Sequence, residues 1–248
     1  MSFWSVMKIS TASLMIFSLL IIGCNGGDEP ADPDFQFEYF GLQTGRYIVY
    51  EVDSSYFRQN VKYPVHFFLK STVSKTFINA EGGLSYEISI QKRVNETDSW
   101  KPYGTHQARI SNGMGIYTEG NVSYVKLLFP PATDLKWNGN MFNSLSGPEY
   151  CGSNSDTPCD IYQIKSQGKP ITISPSVQFA EAVVVEQSNE IDNIVGDDVR
   201  IEVYARNFGL VQKTITLTEY CTVGCPANSK FITKGLTYRQ VAISYGLE

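Results

Sequence analysis

The fold class this sequence predicts is all-β, an antiparallel meander, and three observations point to it. Beyond residue 34, short runs of alternating apolar and polar residues recur about every ten residues, separated by Gly, Asn, Asp and Pro. The aromatic share is 13%, with 15 Tyr and 14 Phe, and most of these Tyr and Phe fall inside those runs, where strand formers belong. Helical periodicity is nearly absent, so the crossover helices that parallel strands require are missing. A sheet of about ten strands cannot stay flat and open. It should curl into a barrel or half-barrel, or split into a sandwich.

Taken in order, Gly45-Arg46-Tyr47-Ile48-Val49-Tyr50-Glu51-Val52 is the first strand. Tyr63 to Phe77 is a long second one, with Pro64 near its start, where no ladder donor is needed. Ala80-Glu81-Gly82-Gly83 is a hairpin turn. Leu84 to Val94 returns with Tyr86, Ile88 and Ile90 on one face and Glu87, Ser89 and Gln91 on the other. After the turn Asn95-Glu96-Thr97-Asp98 come three shorter strands, Trp100 to Tyr103, His106 to Ser111 and Met114 to Thr118. Glu119-Gly120-Asn121 turns into Val122 to Phe129, which Pro130-Pro131 stops. Ala132 to Pro158 loses periodicity and reads as an irregular excursion or a short helix. Strands resume at Asp160 to Ser166, Ile171 to Ser174, Ala180 to Gln187, Val199 to Ala205, Gly209 to Tyr220 and Leu236 to Tyr245, with a bend at Asn207. No internal repeat is evident.

The N-terminal region reads differently. One cation, Lys8, precedes an apolar run from Ala12 to Ile22, the length of a secretory h-region. Ile9 to Gly23 is too short, and too diluted by Ser and Thr, for a span that needs roughly 20 apolar residues. Ile21-Ile22-Gly23-Cys24 resembles the lipobox of bacterial lipoproteins, in which a peptidase cuts before the cysteine and the cysteine is acylated. That resemblance implies a signal peptide over 1–23, lipidation of Cys24, a flexible tether over 24–34 and a single β-rich domain over 35–248. Each buried methylene contributes ~0.8 kcal/mol, so several acyl chains hold a protein essentially permanently. No Asp directly follows Cys24, which in enteric lipoproteins looks like an outer-membrane address. Asp28, Glu29, Asp32 and Asp34 resemble a surface-export signal of Bacteroidetes lipoproteins, or they simply solvate the tether.

Cysteine usage fits an exported chain. Of five Cys, setting Cys24 aside leaves Cys151, Cys159, Cys221 and Cys225, an even number that suggests two disulfides. Local pairs, Cys151–Cys159 and Cys221–Cys225, are expected. They would close rings worth ~2.5 and ~2 kcal/mol in the chain-entropy account. Bridges between the two pairs are the main rival, and a four-cysteine zinc site is another. The net charge of −5 and pI near 5.2, with no basic stripe, argue against nucleic-acid binding.

Four blocks carry a wider resemblance: Gly45-Arg46-Tyr47-Ile48-Val49-Tyr50, Leu127-Leu128-Phe129-Pro130-Pro131, Lys136-Trp137-Asn138-Gly139-Asn140, and Glu202-Val203-Tyr204-Ala205 with Gly209-Leu210-Val211. In this order they resemble a group of uncharacterised Bacteroidetes outer-membrane lipoproteins. The resemblance implies an exported, lipidated, β-rich protein and brings no catalytic residue with it. The cysteine pairs depart from that group. Each block also has a plain packing explanation. Trp137 fits a core or rim position better than a ligand platform, and Tyr204 could lie over the bare backbone of Gly209.

Candidate chemistry is thin. His66 lies within an apparent strand and His106 follows a Gly-Thr turn; neither belongs to a nucleophile motif or a metal-binding His pair. Asp192, Asp197 and Asp198 form an oxygen-rich stretch that could attract calcium, but their spacing misses the twelve-residue calcium loop and suits a solvated hairpin tip. The Asn95 and Asn121 sequons read as polar turns. The expectation is therefore a lipid-anchored envelope protein, non-enzymatic, with no cofactor or metal. It would bind a hydrophobic ligand or an envelope partner on a curved sheet. The alternative is an envelope hydrolase acting on glycan or peptide.

Overall fold

Twelve strands account for most of the chain in the computed structural model, which describes residues 34–145, 161–174, 177–191, 194–226 and 230–248. Residues Phe35–Glu248 form one compact unit. Six strands follow one another as hairpins: β1 (Arg46–Arg58), β2 (Val61–Ile78), β3 (Leu84–Arg93), β4 (Lys101–Ser111), β5 (Met114–Glu119) and β6 (Val122–Leu128). The second six are β7 (Lys136–Asn138), β8 (Ile161–Ser174), β9 (Val177–Glu190), β10 (Gly196–Ala205), β11 (Gly209–Tyr220) and β12 (Ile232–Leu247). Every ladder is antiparallel, in the order β6-β5-β4-β3-β2-β1-β12-β11-β10-β9-β8-β7. The first and last strands thus pair in mid-sheet, from Arg46↔Leu247 to Arg58↔Lys234. The sheet's two edges are β6 and β7.

Those edges meet, and the sheet curls into a nearly closed barrel. A three-residue strand cannot form a full ladder with β6, so other groups close the seam. The Trp137 indole N–H donates to the Val125 carbonyl at 2.8 Å. The Val125 N–H donates to Gly139 O at 2.8 Å, and the Asn143 amide to Ser123 O at 2.8 Å. Trp137 packs edge-on against Tyr162, ring centres 5.9 Å apart. A Cβ at Gly139 would lie 2.3 Å from the Tyr162 ring, so only glycine lets the chain pass there. Closure of this kind removes exposed sheet edges.

The structure departs from the sequence expectation at three places. The segments expected at Trp100 to Tyr103 and His106 to Ser111 are one strand, β4, which starts at Lys101, and a register shift at Ile90/Gln91 absorbs the Gly104 break. The two segments expected at Asp160 to Ser166 and Ile171 to Ser174 are likewise one strand over their described residues, β8 (Ile161–Ser174), whose pairing with β9 skips Gly168 and Pro170. Bulges let turn-like residues sit inside a continuing strand. Within the aperiodic stretch after Pro131, Lys136–Asn138 forms β7 and residues 139–145 form turns; residues 146–160 lie outside the described ones.

Two buried clusters make the core. One joins Val73, Ile88, Ile90 and Ala108 to Trp137, Tyr162, Ile164, Val183, Val185 and Tyr204. The other joins Ile48, Tyr50, Val52 and Phe67 to Ile173, Val177, Phe179, Val203, Val211 and Val241. The β8–β9 tip supplies Phe179, which packs on Phe208 and Tyr245 with ring centres 5.0 and 5.6 Å away. Successive β10 residues from Glu202 to Ala205 are all buried, so both faces of that strand are covered.

A short 3-10 helix, Phe37–Phe40, closes one end of the barrel. Phe40 lies against Phe129 and Tyr204, 6.2 and 6.4 Å between ring centres. The plug is tied to the β10–β11 turn: Asn207 N–H donates to Glu38 O at 3.0 Å, and a Cβ at Gly41, whose φ is +67°, would lie 2.3 Å from Phe208 O. Gly209 faces Phe40 and Gly41 backbone, not the Tyr204 ring that the sequence had suggested.

Candidate functional site

Alternation along the strands places every second side chain of β1–β5 and β10–β12 inside the barrel, where a cavity of about 350 Å³ remains. Its walls differ in character. Ile48 from β1, Phe67, Leu69 and Val73 from β2, and Ile88 and Ile90 from β3 make an apolar wall. Phe40 and Leu42 make the floor. His106, Tyr117, Glu119, Lys126, Glu202, Tyr204 and Lys213 make a polar wall from β4–β6, β10 and β11. At the other end Tyr103, 62% exposed, and Glu119 reach solvent and mark the mouth. There Lys92 lies over Phe67, 3.8 Å from the ring centre, and 5.0 Å from that of Tyr103.

The centre of the polar wall is an ion pair across the lumen. Lys126 Nζ donates to Glu202 Oε1 at 2.8 Å, and the Tyr204 hydroxyl donates to Glu202 Oε2 at 2.6 Å. Lys213 Nζ stands 3.9 Å from Glu202 Oε1. A bulge sets this geometry: the β5–β6 register runs Gly115↔Leu127 then Ile116↔Val125, leaving Lys126 as the extra residue. Burial opposes ionisation of Glu202, but the Lys126 and Lys213 ammonium groups and two hydrogen bonds outweigh it and hold the carboxyl at about 2. Burial pushes the Lys126 ammonium down, and its carboxylate partner pulls the other way. A pair this deep gives little net stability, because desolvation offsets attraction, but losing one partner is costly.

His106 and Tyr117 share a 2.8 Å hydrogen bond, their rings edge-on at 5.4 Å. Burial lowers the His106 pKa and Lys213 adds to that, with Glu119 opposing, so the imidazole is neutral near pH 7. Burial raises the Tyr117 and Tyr204 hydroxyls well above their ordinary range.

Of the residues singled out from the sequence, His106 lines the lumen. His66 is on the other side of β2 from Phe67, exposed, 2.9 Å from Asp53 Oδ1 and 3.9 Å from Glu51 Oε1. Asp198 is held by Arg200 at 2.7 and 2.8 Å, and Asp197 accepts the Tyr220 hydroxyl, so both carboxylates have protein partners. Asp192 lies outside the described residues, as do Cys24, Cys151 and Cys159. Cys221 and Cys225 form a disulfide with Cα atoms 5.7 Å apart. Among the described residues no group of three or more His, Cys, Asp or Glu could hold a metal, and no helix is long and apolar enough to cross a membrane. The sequence reading missed Arg46, Lys126, Glu202 and Lys213. The available signal was a charge in the middle of an apolar strand, as in Val125-Lys126-Leu127 and Ile201-Glu202-Val203.

Fold and lumen together define a class: a meander β-barrel, plugged at one end and hollow along part of its axis. No protein-family model and no curated protein matches the sequence. Among solved structures, one similar chain is a Bacteroides fragilis protein described as exported and YmcC-like in fold. It is 12% identical, with 84% of this chain and 98% of that chain covered and a TM-score of 0.41. Another, from Parabacteroides distasonis, is described as a lipoprotein; it is 12% identical, with coverage of 84% and 98% and a TM-score of 0.36.

Proposed function

We propose that this protein is an exported lipoprotein of the bacterial outer membrane, held by acyl chains on Cys24, that binds a small hydrophobic ligand inside its barrel without transforming it. One observation carries the binding half: a cavity of about 350 Å³, within the range that small-molecule sites occupy, with one continuous apolar wall and a mouth that reaches solvent. The anchor rests on the sequence around Cys24. The test of binding is mass spectrometry of material released by denaturing the purified protein. A recurrent stoichiometric apolar compound is the expected result. No compound, together with no uptake of added apolar probes, refutes it. For the anchor, cells expressing Cys24→Ala should lose radiolabelled palmitate from this band; undiminished label refutes the assignment.

A further inference from the structure

The lumen carries an uneven set of charges. Three cations line it, Arg46, Lys126 and Lys213, against two carboxylates, Glu119 and Glu202. Glu119 is at the solvent-exposed mouth, where water screens it. In the interior, one carboxylate therefore faces two ammonium groups. Lys126 takes it, at 2.8 Å. Lys213 is left at 3.9 Å, beyond hydrogen-bond reach, with its side chain only 24% exposed. Nearby oxygens do not make up the difference: the Tyr50 hydroxyl donates to Leu210 O, and the Tyr238 hydroxyl to the side chain of Gln240. Lys213 thus has three donors, a distant carboxylate and no hydrogen-bond acceptor within reach among the described residues. Arg46, lower in the same cavity, has a buried Nε that also lacks an acceptor.

We propose that the lumen ligand is an anionic amphiphile, its carboxylate or phosphate head on Lys213 and its apolar tail along the β1–β3 wall. This deepens the reading of the lumen as a ligand site and rests on it. A half-buried ammonium whose carboxylate neighbour is already held by another lysine has donors to spare, and a bound anion would supply an acceptor in a setting of lowered dielectric, where a charge-assisted bond is strong. Size bounds the tail. A ~150 Å³ apolar cavity holds benzene, so about 350 Å³ holds on the order of a dozen non-hydrogen atoms, with longer chains leaving through the mouth.

The test compares three probes of equal chain length, decanoate, 1-decanol and decyltrimethylammonium. Equilibrium dialysis against the full lipidated chain in phosphatidylcholine nanodiscs reads binding, with empty discs subtracting membrane partition. Decanoate should bind at least tenfold tighter than the other two. Lys213→Met should bring decanoate down to the decanol level and leave decanol unchanged, while Lys213→Arg keeps the preference and shows that charge, not folding, is at issue. Decanol binding as tightly as decanoate would overturn the anionic assignment while leaving the apolar site standing. A larger loss of decanoate from Arg46→Met than from Lys213→Met would overturn the placement of the head. Failure of all three probes would remove the ligand site itself, and this inference with it.

Discussion

Replacing Glu202 with Gln keeps the shape of the side chain and removes its charge. Lys126 and Lys213 then face each other across the lumen with no counter-ion, 2.8 and 3.9 Å from an oxygen that is now neutral. Stripping one partner from a buried ion pair costs about 3–5 kcal/mol, a large share of the ~5–15 kcal/mol that holds an ordinary domain together. For a domain of this size that corresponds to a melting temperature lower by roughly 6–20 °C. The pH dependence gives an independent figure. Glu202 titrates at about 2 in the fold against an ordinary 4.5, and each tenfold change in acidity is worth ~1.4 kcal/mol, so ionisation contributes about 3 kcal/mol. Because the folded pKa is depressed, this stability is fully present above pH 4.5 and is lost as pH falls through 2. Urea denaturation of wild type, Glu202→Gln and Glu202→Gln/Lys126→Met at pH 7 and pH 3 reads both effects. The single variant should lose midpoint without a change in slope. The double variant should recover a large part of the loss, since it removes Lys126, the more deeply buried of the two stranded ammoniums. The single variant should also show a smaller drop between the two pH values, by about 2 kcal/mol, since the Glu202 share of it is gone while that of His106 remains. A single variant within ~0.5 kcal/mol of wild type, or a double variant no better than the single, would refute the trans-lumen pair.

Other consequences are as definite. Trp137→Phe keeps most of the bulk but deletes the donor to Val125 O, and should cost about 1–2 kcal/mol in chemical denaturation. Gly139→Ala forces a Cβ into the Tyr162 ring and should cost roughly 1–3 kcal/mol, with faster amide exchange in β6 and β7 as the seam loosens. His106 has a depressed pKa in the fold, so the unfolded chain protonates first as pH falls below 6.5. Stability should decline from there, NMR should place the His106 midpoint below 6.5, and His106→Gln should flatten that segment of the profile. Exchanging both Cys221 and Cys225 for Ser opens a small ring and should cost about 2 kcal/mol without altering the lumen, read as an unchanged decanoate affinity.

The strand content was legible because turn residues and period-two patterns agree along most of the chain. Glu119-Gly120-Asn121 and Arg206-Asn207-Phe208 sit at tight turns, with Gly120, Asn121 and Asn207 at positive φ. The errors have one physical cause. Gly104 and the Gly168-Lys169-Pro170 stretch look like punctuation, but bulges on β4 and β8 carry them inside strands, and only the partner strand shows whether the ladder resumes. Barrel or sandwich was undecidable locally, since the two six-strand halves become one sheet only where β1 meets β12, nearly 200 positions apart. The β6–β7 seam was hidden for a related reason: three residues, Lys136–Asn138, are too few to show any period.

The lumen was harder to foresee than the barrel, and β10 shows why. Alternation separates Glu202 and Tyr204 from Val203 and Ala205, and an ordinary half-buried strand would turn the valine and alanine inward and the glutamate to water. Here the β8–β9 tip packs Ile173, Val177 and Phe179 with Val203 and Ala205, so both parities are buried and hydrophobicity cannot say which faces the lumen. A Lys on β6 and a Glu on β10 then look like two unrelated surface charges 76 positions apart, until closure brings them to 2.8 Å. Once closed, their geometry leaves Lys213 as the unmatched charge. A barrel needing only stability would do as well with apolar groups at all three positions, since swapping a buried pair for hydrophobic residues is often neutral or better. Retaining two ammoniums against one carboxylate beside an apolar wall is costly to folding, and it is explained if an anion completes the set.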